Sequence, residues 1–337
     1  MTDRITSPTA IIGAGLAGLS AALALSAAGI PVIVRDKGRG PGGRLSSRRD
    51  GGWRFDHGGQ FLTVRDAGFR AVMDGLLADG HAAAWDGHIV RLSPDGGMEP
   101  HPVERYVGTP GMNGIIQGLI SCLPEVARPR FGTRVVAITG EPGQWRLMLE
   151  DGTDEGPFMR LILAMPSVQA ADLLRPLAPV LAARADAAVM APCWALMLGF
   201  DQTVTPPWDA AFIAGAGGDD RPLSWIAHDG AKPGRGKRAG FVAHAAPDWS
   251  VRHLEEAAGQ VGPALLSAFR AITGITAEPA FMAAHRWRYA LPTVPLVEGF
   301  LWDAKLGIGA CGDWCLDARA EAAFVSGARL AAAMGTA

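Results

Sequence analysis

The sequence predicts an α/β fold that opens with a strand–helix–strand unit. Residues 9–12 are a short apolar run typical of a buried strand, and residues 16–28 have the composition of a helix that ends at Gly29. A second apolar run at residues 31–34 predicts the next strand, which leads to Asp36. Strands that alternate with helices in this way form parallel sheets covered by helices.

The turn between the first strand and the helix carries three glycines in the spacing G-x-G-x-x-G. We expect Gly13 to permit the tight turn, Gly15 to let the backbone approach a pyrophosphate, and Gly18 to let the helix pack closely on the strand. The helix N-terminus adds free N–H groups and the positive end of the helix dipole. Asp36 follows Gly13 by 23 positions, close to the ~20-residue spacing of a ribose-binding carboxylate. The unit is therefore predicted to be a Rossmann-like dinucleotide site; the alternative is tight packing without a ligand.

The composition excludes several other classes of protein. The chain has 337 residues, 49% hydrophobic and 19% charged, which suits one large α/β unit or two domains. Lys and Arg total 31 against 33 Asp and Glu, so no positive excess is available for nucleic acid or an anionic membrane. The four cysteines are too few for a disulfide framework, and none of the eight histidines has metal-ligand spacing. We therefore expect no metal and a reducing, cytoplasmic environment.

The uncharged segment between Arg4 and Arg35 has the hydropathy of a membrane span, but the helix predicted within it is too short to be one. The helix predicted within it has about 13 residues, or ~20 Å at 1.5 Å per residue, whereas a hydrocarbon core is ~30 Å thick. Pro31 and the glycines interrupt the remainder. We expect neither a membrane span nor a targeting segment.

Three further segments indicate FAD rather than NAD as the dinucleotide. Residues 39–44, RGPGGR, follow the second strand and allow another close backbone approach, from which Arg44 can reach phosphate or flavin. Residues 55–61, FDHGGQF, form a glycine-centred turn between polar and aromatic side chains. Residues 306–314, LGIGACGDW, predict a buried strand that ends in Gly-Asp, so that Asp313 can accept hydrogen bonds from the ribityl chain. The helix predicted next in the chain can present its N-terminus to the flavin pyrimidine.

With these segments in place, nearly the whole chain resembles the FAD-dependent amine oxidase superfamily and, within it, the bacterial renalases. The most distinctive segments are 42–44, 55–61, 107–112 (VGTPGM), 285–290 (HRWRYA) and 311–315 (CGDWC). The resemblance implies an α/β fold with a discontinuous, Rossmann-like FAD-binding domain of the amine-oxidase type and a second, mixed α+β substrate domain. The expected FAD-binding domain comprises residues 1–73, 105–166 and 291–337, and the expected substrate domain comprises residues 74–104 and 167–290.

The motifs and the resemblance together define a set of expected FAD-binding residues. They are Gly13, Ala14, Gly15, Leu16, Ala17, Gly18, Asp36, Lys37, Gly43, Arg44, Gly58, Gly59, Gln60, Phe61, Val135, Gly312, Asp313, Glu321 and Ala322. The resemblance implies that Val135 contacts the adenine through its backbone, and we expect the FAD to be held non-covalently. Two positions depart from the pattern: Asp36 replaces the usual glutamate, and Gly59 with Phe61–Leu62 replaces the alanine and aromatic pair of bacterial renalases.

Further elements are predicted from periodicity. Strands are expected at residues 134–138, 145–150, 158–166, 194–200, 223–228 and 240–244, and helices at residues 251–258, 263–273 and from 320. The loop at residues 229–240 carries Lys232, Arg235, Lys237 and Arg238 among glycines and is predicted to be solvated. A role of that loop in steering phosphates is the alternative.

The sequence contains no catalytic triad or metal cluster, which suits a site where flavin carries the difficult step. Trp287 and Tyr289 alternate on a strand-like segment and are candidates for a substrate pocket; the alternative is that they are core aromatics. Trp225, His244 and Trp249 lie in segments that also resemble renalase. For His244 we consider a role in orienting a carboxamide or a ribose.

The resemblance implies a specific oxidase reaction with small-molecule partners. A 2- or 6-dihydro isomer of NAD or NADP would pass hydride to flavin N5, and dioxygen would then reoxidise the flavin and yield hydrogen peroxide. Oxidation of an amine or another small donor is the alternative activity. A flavin-binding protein without turnover is the alternative of a different class.

Overall fold

The computed structural model describes residues 7–236 and 239–335, in which strands and helices are distributed along the whole length. The strands are β1 (Thr9–Ile12), β2 (Val32–Arg35), β3 (Arg48–Asp50), β4 (Trp53–Phe55), β5 (Ala82–Ala84), β6 (Ile89–Leu92), β7 (Met98–Pro100), β8 (Tyr106–Gly108), β9 (Val135–Thr139), β10 (Trp145–Leu149), β11 (Asp154–Phe158), β12 (Arg160–Leu163), β13 (Val189–Phe200), β14 (Ala210–Ile213), β15 (Leu223–His228), β16 (Ala239–Ala245), β17 (Phe281–Val294), β18 (Leu301–Asp303) and β19 (Ile308–Ala310). The helices are α1 (Leu16–Ala27), α2 (Ala67–Ala78), α3 (Asn113–Ser121), α4 (Ser167–Leu174), α5 (Pro179–Asp186), α6 (Pro247–Arg252), α7 (Ala258–Thr273) and α8 (Ala320–Gly335).

A five-stranded sheet with the order β18-β19-β12-β1-β2 forms the first layer of the fold. All its pairs are parallel except β18 with β19, which is antiparallel. Successive side chains of β1 point to opposite faces, so Ile11 belongs to one core while Ala10 and Ile12 belong to another. Both faces of β1 are therefore buried, as expected for a parallel sheet covered by helices.

A seven-stranded sheet with the order β17-β13-β16-β15-β14-β6-β7 forms the second layer. Its pairs are antiparallel except β14 with β6, which is parallel. Helix α7 packs on this sheet through Leu265 and Phe269, and both side chains are fully buried with Phe200 and Phe241. The mixed α/β fold with a Rossmann-like unit that the sequence predicts is confirmed.

The first predicted elements agree closely with the structure. Strand β1 matches the predicted residues 9–12, and α1 ends before Gly29, whose φ of +74° is the left-handed conformation that glycine adopts readily. Strand β2 lies one residue later than predicted, and α8 begins at Ala320 as expected.

Several later elements were predicted wrongly. The helix expected at residues 251–258 is instead α6, which begins early because Pro247 occupies a first-turn position, and the chain turns after Arg252. Helix α7 begins at Ala258 and contains Pro263, which was expected to open it. The strand expected at residues 158–166 is divided, because Phe158 ends β11 and β12 begins only at Arg160.

The predicted domain boundaries cross continuous elements. Helix α2 passes through the boundary at residue 73, and β17 passes through the boundary at residue 290. Helices α4 and α5 were assigned to the substrate domain, but Ala171 and Leu181 share a core with Ile12 of the five-stranded sheet. The division into two domains stays a proposal. In the described part of the chain, no helix combines the length and the apolar character needed to cross a membrane.

Candidate active site

A cavity of about 1870 Å³ lies where the glycine-rich turns of the first layer meet the second layer. Its wall includes residues of the β1–α1 turn and side chains from β15, β16 and β17. A pocket for one drug-sized ligand is typically ~300–1,000 Å³. The cavity is therefore large enough for a dinucleotide together with a second ligand.

The first glycine turn has the geometry of a phosphate-binding cradle. Gly13 has a φ of +111°, and a Cβ atom there would lie 2.2 Å from the carbonyl oxygen of Ala164. Gly18 allows the close packing expected of it, because a Cβ atom there would lie 1.9 Å from the Gly13 carbonyl oxygen. A Cβ atom on Gly15 would meet nothing within 4 Å, and Gly15 lines the cavity. The turn thus leaves open space where a pyrophosphate would approach α1.

Asp36 lines the cavity and ties two loops together. Its Oδ2 accepts a hydrogen bond of 2.6 Å from the Ala14 amide, and its Oδ1 accepts one of 2.6 Å from the Gly38 amide. Each carboxylate oxygen has a further lone pair. The side chain can therefore hold the glycine turn in place and still accept from a ribose hydroxyl.

The second glycine segment brings Arg44 against Asp313, and the expected role of Asp313 as an acceptor for a ribityl chain stays a prediction. Both Arg44 Nη atoms donate to the Asp313 carboxylate at 2.7 Å, and Arg44 Nη1 also donates to the Ala290 carbonyl at 3.0 Å. Such a bidentate pair is geometrically specific. The ion pair joins the N-terminal part of the site to the segment before α8.

Gln60 lines the cavity, but its side-chain hydrogen bonds are already used. Its Nε2 donates to the carbonyl oxygens of Asp56 and Gly58, and its Oε1 accepts from Lys232 Nζ at 3.1 Å and Trp225 Nε1 at 3.3 Å. An amide has two donor hydrogens and two acceptor lone pairs. Gln60 can therefore contact a ligand through van der Waals packing or through its backbone, but its side-chain amide is already hydrogen-bonded within the protein.

Most of the expected FAD-binding and substrate residues come together on the cavity wall. These are Gly13, Gly15, Leu16, Ala17, Asp36, Lys37, Gly43, Arg44, Gly58, Gly59, Gln60, Phe61, Val135, Gly312, Asp313, His244, Trp287 and Tyr289. Four expected residues lie behind the wall instead: Ala14, Gly18, Glu321 and Ala322. Glu321 is buried, and its Oε1 accepts hydrogen bonds from the amides of Arg65 and Asp66, so its carboxylate fixes that loop to α8.

Three histidines, His57, His244 and His285, line the cavity beside Trp287, and we call these three side chains with Trp287 the imidazole group. The ring of His57 lies 4.8 Å from that of His285 and 5.1 Å from that of Trp287. The His57 carbonyl accepts from Trp287 Nε1 at 2.8 Å, while His57 Nδ1 has no partner within the described residues. Burial lowers the pKa of His57 and of His244 to about 4, and burial also lowers the pKa of His285. The group therefore presents neutral imidazoles near pH 7.

The loop after β15 is not solvated as predicted, but contributes to a buried charge cluster formed by Asp56, Asp229, Lys232 and Arg235. Lys232 Nζ lies 2.6 Å from Asp229 and 3.5 Å from Asp56, and Arg235 Nη2 lies 2.5 Å from Asp56. No side chain of the four is more than 2% exposed. Lys237 and Arg238, also assigned to that loop, lie outside the described residues.

The charges in this cluster compensate one another. Burial alone would raise the pKa of Asp56, but the neighbouring Lys232 and Arg235 outweigh it and hold that pKa below its usual value. Burial raises the pKa of Asp229, and Lys232 opposes this. A buried charge without a partner costs several kcal/mol, so two cations and two carboxylates are found together. The sequence carried no signal for the pairing with Asp56, because Asp56 is far from the loop along the chain.

Cys311 also lines the cavity, and the described cysteines form no disulfide. Burial raises the pKa of Cys311 to about 12, so its thiol stays neutral and is a poor nucleophile. Among residues 7–236 and 239–335, no group of three or more His, Cys, Asp or Glu side chains is arranged to hold a metal ion.

The fold and the glycine cradle define the chain as a mixed α/β protein with a Rossmann-like nucleotide-binding unit. The family described as "NAD(P)-binding Rossmann-like domain" matches residues 11–76. Over 84 residues, 25% of this chain, it is 42% identical to a phytoene dehydrogenase from Streptomyces griseus. Over 56 residues it is 54% identical to a neurosporene-forming phytoene desaturase from Rhodobacter capsulatus. The matched part spans only 16% and 11% of the lengths of these two curated relatives.

Solved structures share the fold over nearly the whole chain. Cyclohexylamine oxidase from Brevibacterium oxydans is similar with a TM-score of 0.76, 13% identity and coverage of 98% of this chain and 99% of that chain. A putative protoporphyrinogen oxidase from Exiguobacterium sp. 255-15 has a TM-score of 0.75, 14% identity and coverage of 100% and 99%. A UDP-galactopyranose mutase has a TM-score of 0.75, 15% identity and coverage of 99% and 95%. At these identities the likeness concerns the fold alone.

Proposed function

We propose that this chain binds FAD non-covalently and acts as an oxidoreductase. The observation that carries the proposal is the pair of glycine segments on one cavity wall. A Cβ atom on Gly43, whose φ is +53°, would lie 3.6 Å from the Gly15 Cα, in van der Waals contact, so the second glycine segment lies directly beside the first on this wall. Asp36 supplies a ribose acceptor beside them, and the neutral thiol of Cys311 favours non-covalent binding. Free cysteines also favour a reducing, cytoplasmic location.

When bound, FAD supplies a hydride acceptor at N5 and, in an oxidase, passes the electrons on to dioxygen with formation of hydrogen peroxide. The protein's own residues have to position both ligands and exclude water. The Arg44–Asp313 ion pair fixes two distant segments around the cradle, and the buried charge cluster fixes the loop at residues 56–60 through Gln60. These contacts hold the cavity wall in one arrangement before a ligand arrives.

For the substrate we propose a reduced, isomeric nicotinamide dinucleotide, a 2- or 6-dihydro form of NAD or NADP. Hydride loss makes the ring aromatic, so no strong base is needed, and the imidazole group offers none near pH 7. Trp287 and Tyr289 lie on the wall, where flat side chains suit a planar ring. The cavity wall carries eleven Lys or Arg residues against four Asp, and four of the arginines pair with carboxylates outside the wall: Arg35, Arg134, Arg288 and Arg319. The remaining positive excess suits ligands that bring diphosphates.

The alternative activity is oxidation of an amine, the reaction class that the printed name of cyclohexylamine oxidase suggests. The neutral imidazoles favour it in one respect, because they would not repel a cationic amine. The surplus of arginines on the wall weighs against it. A flavin-binding protein without turnover remains the alternative of a different class.

Anaerobic mixing of the yellow holoprotein with each donor tests these proposals. We expect the flavin absorbance to bleach with 2- or 6-dihydro-NAD(P) and to recover in air with one hydrogen peroxide per turnover. Bleaching by amines alone would transfer the assignment to an amine oxidase. Bleaching by neither would favour the non-catalytic protein, and a colourless protein that takes up no added FAD would overturn the cofactor proposal itself.

A further inference from the structure

We propose that Arg105 is the receptor for an anionic oxygen group of the substrate, a carboxylate or a phosphate, at the aromatic end of the cavity. The proposal rests on the proposed function in placing a substrate in this cavity. It goes further by assigning the charge that this substrate carries and the residue that recognises it.

Arg105 is a buried guanidinium held by its own loop. It is 4% exposed, yet it belongs to the cavity wall. Its Nη1 donates to the carbonyl oxygens of His101 at 3.1 Å and Val103 at 2.8 Å, and its Nη2 contacts His101 Nδ1. The side chain is therefore fixed in position before a ligand arrives, which limits the entropy lost on binding.

The charge of Arg105 has no counter-ion. Within the described residues no carboxylate forms an ion pair with it, and its Nε has no hydrogen-bond partner. Burial lowers the pKa of Arg105, and no neighbouring anion opposes this. Burial, with the charges of Arg105 and Arg91 next, lowers the pKa of His101, so the nearest titratable side chain is neutral.

The absence of a counter-ion distinguishes Arg105 from the two cations of the buried charge cluster. There, Lys232 and Arg235 are buried as deeply but share two carboxylates. Arg105 has instead the face of an aromatic ring, with its Cζ atom 5.0 Å from the centroid of Phe61. A cation over a ring is stabilised without being neutralised. A buried, fixed cation on the wall of a binding cavity is the arrangement in which a ligand supplies the missing negative charge.

The aromatic side chains near Arg105 indicate what else the ligand contains. Phe61, Phe212 and Trp225 form an aromatic wall, with ring centroids 5.6 Å apart for Phe61 and Trp225 and 4.5 Å apart for Phe212 and Trp225. All three line the cavity, and the ring of His101 lies 5.0 Å from that of Phe212. This arrangement suits a molecule that has both a flat ring and an acidic group, which in a dinucleotide would be a phosphate. A cationic amine would meet uncompensated positive charge at the same place.

The proposal is tested by calorimetric titration of the holoprotein at pH 7 with four matched probes: benzoate, phenyl phosphate, benzamide and benzylamine. We expect benzoate or phenyl phosphate to bind at least tenfold more tightly than benzamide, and the tighter of the two identifies the anionic group as carboxylate or phosphate. This preference should weaken with added salt. Equal affinities for the acids and benzamide, or a preference for benzylamine, would overturn the proposal.

Substitutions test whether Arg105 itself causes the preference for acids. Arg105→Gln should abolish the preference for the acids and leave the benzamide affinity unchanged, whereas Arg105→Lys should retain part of it. Arg91→Gln is the matched control, because Arg91 is exposed and lies over the ring of Phe212 at 6.0 Å; we expect less than a threefold change. Equal weakening of benzoate and benzamide by Arg105→Gln would indicate a structural role only.

The Arg105 proposal and the proposed function can fail independently, and the experiments distinguish the two failures. If the protein takes up no FAD, the cofactor proposal fails, and the same titration of the protein as isolated still measures the preference for anions. If acids bind as expected but no dihydronicotinamide bleaches the flavin, the Arg105 site stands and the assigned substrate is wrong.

Discussion

Gly13 and Gly15 lie two residues apart, and the structure predicts opposite consequences for the same substitution. Ala at position 13 would need a φ of +111° and would bring its Cβ atom to 2.2 Å from the Ala164 carbonyl oxygen. The unusual backbone conformation costs roughly 1–3 kcal/mol and overpacking a further ~1–3 kcal/mol. Against a typical total stability of about 5–15 kcal/mol, Gly13→Ala should lower Tm by roughly 5 °C or more, or prevent folding.

At position 15 the added methyl group meets nothing within 4 Å, and the φ of −78° is accessible to alanine. Gly15→Ala should therefore change the free energy of unfolding of the apoprotein by no more than about 1 kcal/mol. It should nevertheless weaken FAD binding at least tenfold, about 1.4 kcal/mol, because the methyl group fills the space in which a pyrophosphate would lie.

The two effects are measured separately, by thermal unfolding of each apoprotein and by fluorescence titration with FAD. Wild-type FAD affinity in Gly15→Ala would refute the assignment of the cradle. Equal thermal destabilisation of both variants would refute the distinction between the packing glycine and the cradle glycine.

Three further predictions concern the buried charges and the cofactor. The pKa of His57 is lowered to about 4 from 6.5, so the unfolded chain binds more protons than the folded protein between these pH values. The free energy of unfolding should therefore fall as the pH drops through that window, by at most roughly 3 kcal/mol. Urea unfolding of His57→Asn should show a smaller dependence on pH, and an unchanged dependence would contradict this. Lys232→Met should lower the free energy of unfolding by about 3–5 kcal/mol, because it leaves two buried carboxylates short of a cation. The control Arg175→Met removes an exposed ion pair and should lower it by less than about 1 kcal/mol. Equal losses of stability in chemical denaturation would be evidence against the buried charge cluster. Acid precipitation should release all flavin into the supernatant, since the Cys311 thiol is neutral; a yellow pellet would show covalent attachment.

The parts that the sequence predicted well are those governed by local geometry. Strand β1, helix α1 and the stop at Gly29 follow from apolar periodicity and from a backbone conformation that favours glycine. The parts predicted wrongly depend on contacts between distant segments. Residues 253–257 were expected to be helical, but the His253 carbonyl accepts a hydrogen bond of 3.0 Å from Trp194 Nε1 on β13, and the chain turns there.

The candidate site likewise contains local features, which the sequence indicated, and features that depend on distant segments, which it did not. The glycine spacing and Asp36 were recognisable because a nucleotide cradle is built from one short stretch of chain, and the structure places Gly13, Gly15 and Asp36 on the cavity wall. The role of Lys232 was misjudged, since a lysine among glycines has the composition of a solvated loop. Lys232 is buried against Asp229 and against Asp56, and Asp56 lies 176 positions earlier in the sequence.

The sequence by itself determined the strand–helix–strand unit, its glycine turn and the carboxylate that follows, because each depends on residues that are close along the chain. Only the tertiary structure decided which charges are neutralised and which are not. Arg235 and Lys232 meet Asp56, which another segment brings, and Lys232 also meets the nearby Asp229, whereas Arg105 is buried on the cavity wall without a carboxylate. Whether a buried charge is compensated depends on what lies within a few ångströms of it in space, and a single sequence does not record those distances.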